Sequence, residues 1–253
     1  MAESARYLYA ISRALDEDAL AGVRGIRGAA LSVVRHHGLD AVVGDVPLEE
    51  FGEDGLREHL ESLPWLEEVA RGHDDVVRAV AEHGPTAPLR LATICLDDDG
   101  VRRRLEESHE ALASVLDRVE GRAEWSVKLV APSEGAAAAP HEDPPTSGAE
   151  FLRRKKARSD QREQQHLSAT GVAEEVHREL AAVAVASRVL PPQDPQLTGI
   201  AGTMVLNGAY LVDVTAGDDF TVRFRELAAA HPSLQAESAG PWPPYSFAVL
   251  DEP

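Results

Sequence analysis

The chain has 253 residues and a formal net charge of −18, with 25 Lys and Arg against 43 Asp and Glu. This charge disfavours binding to nucleic acid and to anionic membranes, because both surfaces select for clustered basic side chains. A single cysteine, Cys95, excludes an intramolecular disulfide and a multi-cysteine zinc site. The opening residues lack the basic and apolar regions of a secretory signal, and no apolar run reaches the length of a membrane span. We therefore expect a cytoplasmic protein.

The first part of the chain has the alternating and periodic patterns of an α+β domain. Aromatic and apolar residues alternate from Arg6 to Ser12, which predicts a strand. Two β-branched runs, Ala29 to His36 and Asp40 to Val46, are joined by His37-Gly38-Leu39 and predict a hairpin. Further strands are predicted at Pro88 to Ile94 and Glu124 to Val130, and helices after Pro64 and from Val101 to Val119.

The clearest change in composition runs from Ala131 to Gly148, where prolines and small residues predict an exposed flexible loop. A long helix is predicted from Glu150, and a strand or hairpin from Gly202 to Val214, with Asn207-Gly208 as a turn or bulge. From Glu124 onward the predicted order is β-α-β-β-α-β, the split βαβ pattern of ferredoxin-like folds.

We therefore predict an α+β protein of two domains. An N-terminal α+β domain is predicted for residues 1–122. A C-terminal ferredoxin-like domain with a long helix is predicted for residues 123–253, and the flexible loop 131–148 lies within it.

Motifs for phosphate or calcium binding are incomplete. Gly22, Gly25 and Gly28 are not spaced or placed as a dinucleotide-binding loop requires, so we interpret them as a flexible connection. The run from Cys95 to Glu106 resembles a calcium loop but lacks its first carboxylate. Acidic residues at the start of a helix cap its free N–H groups, and we favour that role here.

No side chain has the setting of a catalytic group. His73 lies on the apolar face of a predicted helix and is interpreted as a structural histidine. The Cys95 thiol follows a strand beside three aspartates, which disfavour its thiolate, and prolines follow Ser238 where a nucleophile elbow needs a helix. We therefore predict no catalytic, cofactor-binding or metal-binding residue, and no cofactor.

A cluster of basic residues stands out in this acidic chain, and it contains Arg153, Arg154, Lys155, Lys156 and Arg158. Residues 150–165 hold six basic and three acidic side chains, a local net charge of +3. The cluster is either a solvated helix face or a docking patch for an acidic partner.

The C-terminal segment GPWPPYSF, from Gly240 to Phe247, combines rigid prolines with aromatic side chains. It either seals the core or edge of the last sheet or presents Trp242 and Tyr245 as anchors to a partner.

The same segment resembles the closing motif of the GvpL/GvpF family of gas vesicle proteins. Other stretches agree, in the order in which the family has them: YLYAIS in the first strand, the helix with His73 and Val76 followed by PLRLATI, GAEFLRRKKA, and MVLNGAYLVD. The resemblance spans nearly the whole chain. One departure is Leu91-Ala92, where many members have Phe-Gly, and it leaves the L-like or F-like subgroup open.

The resemblance implies an α+β N-terminal domain, a ferredoxin-like C-terminal domain and a minor accessory role in gas vesicle formation, with no enzymatic activity. It also implies contacts with the small hydrophobic shell protein and with other accessory proteins of the vesicle. We therefore predict a chaperone-like or adaptor-like protein that binds these partners. The alternative is a small-molecule enzyme or sensor built on the ferredoxin-like sheet.

Overall fold

The computed structural model describes residues 3–132, 147–193 and 202–248. The chain divides into two compact units, one formed by residues 1–124 with 242–253 and the other by residues 125–241. Most of the predicted flexible loop at 131–148 lies outside the described residues.

The first unit contains an antiparallel sheet. Its strands are β1 (Ser4–Ser12), β2 (Leu31–His36), β3 (Leu39–Pro47), β4 (Thr86–Pro88) and β5 (Ile94–Cys95). They lie in the order β2-β3-β1-β4, and β5 pairs with β1 near the start of that strand. The predicted hairpin is present, because β2 and β3 pair through the two-residue turn His37-Gly38.

Helices accompany this sheet. They are α1 (Leu48–Phe51), α2 (Glu53–His59), α3 (Leu63–Ala81), α4 (Asp98–Glu107) and α5 (His109–Val119). Proline occupies the first turn of α3, where its missing N–H is tolerated. One face of α3 is buried, and its residues are Trp65, Val69, His73, Val76, Val77 and Val80. This face packs in the same core as Tyr7 and Tyr9 of β1.

In its described residues, the second unit contains a four-stranded sheet and two α-helices. Its elements are β6 (Arg122–Pro132), α6 (Gly148–Ala181), β7 (Ala186–Val189), β8 (Gly202–Asp213), α7 (Gly217–Ala230) and β9 (Gln235–Trp242). The strands lie in the order β7-β8-β6-β9. The predicted β-α-β-β-α-β order is therefore present, and the α+β class is confirmed. The ferredoxin-like assignment stays a prediction.

The predicted strand from Pro88 to Ile94 is wrong in its middle. The sheet pairing stops at Pro88 and resumes at Ile94, and Ala92 has a left-handed φ of 59°. The backbone turns here because the amide of Ala92 donates to the hydroxyl of Tyr7, at 3.0 Å, and leaves the strand ladder.

Two other differences from the sequence interpretation concern helices. The helix predicted from Val101 to Val119 is divided at Ser108 into α4 and α5. The short helices α1 and α2 were not predicted. Of the two alternatives for Gly202 to Val214, the strand is present, and no turn interrupts it at Asn207-Gly208. The Asn207 side-chain amide is buried and donates to the Pro191 carbonyl, at 2.7 Å.

The C-terminal segment groups with the first unit, although the sequence placed residues 123–253 in one domain. The Ser246 amide donates to Glu124, at 2.7 Å, and the Ser246 hydroxyl donates to the same carboxylate, at 2.6 Å. Arg118 of α5 also donates to the carbonyl of Phe247, whose side chain is buried. These contacts within the first unit explain why the segment does not belong to the unit that precedes it in the chain.

Candidate interaction surface

The basic cluster lies in the N-terminal part of α6. Ser147 caps this helix by accepting a hydrogen bond from the Glu150 amide, at 3.2 Å. Arg153, Lys155 and Lys156 are exposed, and none of these three side chains forms an ion pair with another residue that the structure describes. Arg154 pairs with Glu150, at 2.6 Å. The side chain of Arg158 lies outside the described residues.

The first twenty or so residues of α6 are not part of a hydrophobic core. Between residues 148 and 168 no described side chain is buried, and burial begins at Ala169. Phe151 and Leu152 are 54% and 65% exposed, and Leu167 is also 65% exposed. Such a helix gains little from tertiary packing, which is the main source of helix stability in proteins. The exposed cations Arg153, Lys155 and Lys156 and the exposed apolar side chains are therefore available to another molecule.

The C-terminal segment uses its aromatic side chains within the first unit. The Arg78 guanidinium lies 4.3 Å above the Trp242 ring, and Arg78 also pairs with Asp74, at 2.5 Å. The Tyr245 hydroxyl donates to the other oxygen of Asp74, at 3.1 Å. Burial and this carboxylate raise the pKa of Tyr245 above its ordinary value. Trp242 and Tyr245 therefore fasten the segment to α3.

Asp74, Arg78 and Glu124 hold this segment, and sequence reasoning missed them. Asp74 and Arg78 are spaced i,i+4 on a helix, which predicts their mutual ion pair. Nothing in the local sequence connects Asp74 with Tyr245, 171 positions away.

His73 is buried at the centre of the first unit, as the structural interpretation requires. Its Nδ1 lies 3.0 Å from the hydroxyl of Tyr7. Because that hydroxyl accepts from Ala92, its own proton is free to be donated to Nδ1, and the neutral ring then carries its proton on Nε2. Burial lowers the pKa of His73 to about 4, although Asp74 and the backbone of Leu89 act in the opposite direction.

A cavity of about 500 Å³ borders His73, and its wall includes the turn at residues 89–93 and Tyr245. Nε2 of His73 has no hydrogen-bond partner of normal geometry among the described residues, although the Leu89 backbone is close enough to raise the pKa of the ring. A buried N–H donor without a partner costs about 1–3 kcal/mol, so an acceptor in this cavity would be favoured.

The acidic run after β5 forms a helix cap, as predicted. Asp97 accepts from the Gly100 amide, at 2.7 Å, as the N-cap of α4. Asp98 pairs with Arg6, and Asp99 pairs with Arg102, both at 2.7 Å. Each carboxylate of this run is therefore engaged with the protein.

Two further candidates also have a structural setting. Burial raises the pKa of the Cys95 thiol, which disfavours the nucleophilic thiolate. Ser238 lies inside β9, so it is not at a turn between a strand and a helix.

Within the described residues, no helix has the length and apolar character needed to cross a membrane.

Comparison with known proteins finds similarity over almost the full chain. Residues 5–249 match the family model described as "Gas vesicle synthesis protein GvpL/GvpF". The chain is 41% identical to gas vesicle protein L of Streptomyces sp. (strain CB03234), over 98% of this chain and 94% of that protein. It is 25% identical to gas vesicle protein F2 of Halobacterium salinarum, over 98% of this chain and 93% of that one.

Solved structures agree in fold. The crystal structure of GvpF from Anabaena sp. PCC7120 superposes with a TM-score of 0.71 at 18% identity, over 98% of both chains. GvpF from Microcystis aeruginosa gives a TM-score of 0.68 at 16% identity, over 97% of this chain and 99% of that one. The present chain belongs to the GvpL/GvpF family of gas vesicle proteins.

Proposed function

We propose that this protein is a non-catalytic accessory component of gas vesicle assembly and acts in the cytoplasm by binding. Its partners are the small hydrophobic shell protein, other accessory proteins of the vesicle, or both. The observation that carries the proposal is the uncovered N-terminal part of α6, which holds the basic cluster and the exposed Phe151 and Leu152. The 41% identity to a protein L also favours the L-like subgroup.

The physical requirements of shell assembly support a binding role. A protein that polymerises into a gas-tight wall exposes an apolar face before assembly, and such a face aggregates when it is unprotected. A binder with a net charge of −18 opposes self-association of the complex and keeps it dispersed.

The basic cluster is suited to orient such a partner. In an acidic molecule, Arg153, Lys155 and Lys156 form a local positive surface without intramolecular ion pairs among the described residues. A complementary acidic patch would be attracted to it, which raises the association rate and fixes the orientation of the complex. The adjacent Phe151 and Leu152 would then supply apolar contact. Trp242 and Tyr245 are engaged with α3, so we place the main contact on α6.

The test is co-expression of the full chain with the shell protein, and separately with each accessory protein, followed by affinity capture at several salt concentrations. The variant is Lys155→Glu/Lys156→Glu, and the matched control is Arg102→Glu/Arg103→Glu on α4, which changes the net charge by the same amount. We expect the α6 variant to weaken binding about tenfold at low salt, which is about 1.4 kcal/mol. We also expect it to lose most of the salt dependence.

Two outcomes would contradict the proposal. In the first, the wild-type chain retains none of these proteins and its deletion leaves the vesicle yield unchanged. In the second, the α6 variant and the α4 control bind equally well, which removes the basic cluster from the interface.

The cavity beside His73 favours a second candidate function, that of a small-molecule sensor. The unpartnered Nε2 provides a donor for an acceptor group of a ligand. A screen of small carboxylates by thermal unfolding tests it, since a ligand that binds the folded state raises its melting temperature. A ligand that stabilises the wild type and not His73→Phe would support this candidate, and the absence of any such ligand would reject it.

A further inference from the structure

The tip of the β2–β3 hairpin and the last turn of α4 bring two imidazoles and a carboxylate together. Oε2 of Glu106 lies 2.7 Å from Nε2 of His36 and 3.3 Å from Nε2 of His37. One ligand atom from each of the three side chains lies within 4.8 Å of the other two. In the described part of the chain, no other group of three His, Cys, Asp or Glu side chains converges in this way.

The backbone holds these groups in place. His37 and Gly38 both have a left-handed φ, of 49° and 79°, and they form the two-residue turn that closes the hairpin. Because His37 lies in the turn, its side chain does not follow strand alternation, and its ring lies 4.3 Å from that of His36. Nε2 of His109, at the start of α5, lies 3.0 Å from the carbonyl oxygen of His37 and can donate a hydrogen bond to it. The hairpin tip is thus tied to the helices beside it.

We propose that His36, His37 and Glu106 bind one divalent transition-metal ion of the Zn²⁺ type. Two imidazoles with one carboxylate form a ligand set that zinc proteins use when a coordination position stays open. Two ligand atoms of a tetrahedral zinc ion are about 3.3 Å apart, given bonds of about 2.0–2.1 Å. The distance from His37 to Glu106 fits this value. The shorter contact from His36 is a hydrogen bond, and it would widen by about 0.6 Å when the metal replaces the shared proton.

The surroundings favour a cation and leave room for its remaining ligands. An open depression of about 700 Å³ lies beside the proposed site, and its lining includes His37, Glu106, Glu107, His109 and Glu110. Their carboxylates make the local potential negative, which attracts a divalent ion. The two imidazoles favour Zn²⁺, Ni²⁺ or Cu²⁺ over Ca²⁺, which prefers oxygen ligands alone. The open positions are available to water or to a ligand from outside the chain.

The alternative to a metal site is an ion pair between Glu106 and protonated histidines. His36 is partly exposed, and His37 and Glu106 are largely exposed. Ion pairs between exposed side chains contribute little to stability. A metal ion, by contrast, would join the hairpin to α4 and would raise the melting temperature with increasing metal concentration.

The experiment uses the full chain without a polyhistidine tag, treated with EDTA and dialysed. Titration with ZnCl₂ at pH 7.5 is followed by calorimetry, and Co²⁺ serves as a spectroscopic probe of coordination. We expect one ion per chain, and a weaker response to Ca²⁺ by at least about tenfold. His36→Gln and Glu106→Gln should each weaken Zn²⁺ binding at least about tenfold.

Two further variants make the result specific. His37→Asn removes an imidazole but keeps a residue suited to the left-handed turn, so weaker binding in this variant reflects the lost ligand. His83→Gln removes an exposed histidine elsewhere in the first unit and should keep the wild-type affinity. The proposal fails if Zn²⁺ shows no saturable binding, or if the three ligand variants bind as tightly as His83→Gln.

Discussion

The Tyr7 hydroxyl lies 3.0 Å from Nδ1 of His73 and accepts a hydrogen bond from the Ala92 amide at the same distance. One atom on β1 therefore connects α3 with the turn at residues 89–93. Tyr7 and His73 are both almost fully buried, so these hydrogen bonds lie in the core of the first unit. A buried polar group that loses its hydrogen-bond partner lowers the stability of the folded state. The protonation state of His73 therefore affects the stability of the unit.

We expect stability to fall as the pH is lowered through the range in which His73 resists protonation. The pKa of His73 is about 4 in the folded chain, against an ordinary value of 6.5, because burial disfavours the charged ring. The unfolded state therefore binds a proton at a pH where the folded state does not. The free energy of unfolding should begin to decrease below pH 6.5, with a loss of about 2 kcal/mol from His73 at pH 5. Urea unfolding at pH 7.5 and pH 5 measures this loss.

The comparison variant for this prediction is His73→Gln, which cannot titrate. It should be less stable than the wild type at pH 7.5 but should lose about 2 kcal/mol less on acidification. His83→Gln, which removes an exposed histidine, should keep the wild-type pH dependence. An equal pH dependence in wild type and His73→Gln would show that another group is responsible.

The hydrogen bond from Tyr245 to Asp74 should contribute measurably to holding the C-terminal segment. Tyr245→Phe removes one hydrogen bond to a carboxylate and should lower the free energy of unfolding by about 1–2 kcal/mol. Asp74→Ala should cost about 1–3 kcal/mol, because it also removes the partner of Arg78. The adjacent Asp75 is exposed, so Asp75→Ala should stay within about 0.5 kcal/mol of the wild type.

Urea unfolding of the three variants measures these effects, and limited proteolysis reports release of the segment. Faster cleavage near Trp242 in Tyr245→Phe than in Asp75→Ala is the expected result. If Asp74→Ala and Asp75→Ala have equal stability, the contact does not hold the segment.

Sequence patterns predicted the elements whose burial repeats with a regular period. The buried face of α3 and the β-α-β-β-α-β order of the second unit follow from such local periodicity. Local pattern failed where a distant side chain decided the backbone. The Ala92 amide donates to the Tyr7 hydroxyl and so takes no part in the predicted strand. At Asn207-Gly208 the local pattern left a strand and a hairpin open, and the structure has the strand.

The candidate interaction surface was predicted in part. A basic cluster is visible in the composition, but its exposure depends on where the packing of α6 begins, at Ala169. The aromatic residues of the C-terminal segment were visible too, whereas their contact with Asp74 and Arg78 was not. Such contacts join residues far apart in the chain, and one sequence carries no local signal for them.

Glycine at position 92 should stabilise the protein. Ala92 has a φ of 59°, and this left-handed conformation costs an alanine about 1–2 kcal/mol that glycine avoids. We expect Ala92→Gly to raise the free energy of unfolding by about 0.5–1 kcal/mol, after allowance for the greater freedom of glycine in the unfolded chain. Ala87→Gly is the matched control in β4, where the residue is buried in a strand, and it should be destabilising. A loss of stability in both variants would contradict the strain at residue 92.

Substitution by alanine should change the stability in opposite directions at two glycines, Gly25 and Gly171. At Gly25 an added Cβ would lie 2.4 Å from the Tyr9 hydroxyl, which accepts a hydrogen bond from the Ile26 amide, at 2.9 Å. Tyr9 is fully buried and cannot move without losing that bond, so Gly25→Ala should cost about 2 kcal/mol or more. Gly171 lies on an exposed part of α6 with no neighbour within 4 Å of an added Cβ.

At Gly171 only the helix propensity changes, because the new methyl group meets nothing. Gly171→Ala should therefore stabilise the chain by up to about 1 kcal/mol. Differential scanning calorimetry of the two variants measures both effects under the same conditions. A neutral Gly25→Ala would mean that Tyr9 has room to shift, and the glycine run before β2 would then be a flexible connection. A destabilising result instead identifies Gly25 as the position where the backbone must pass close to a tyrosine of the core.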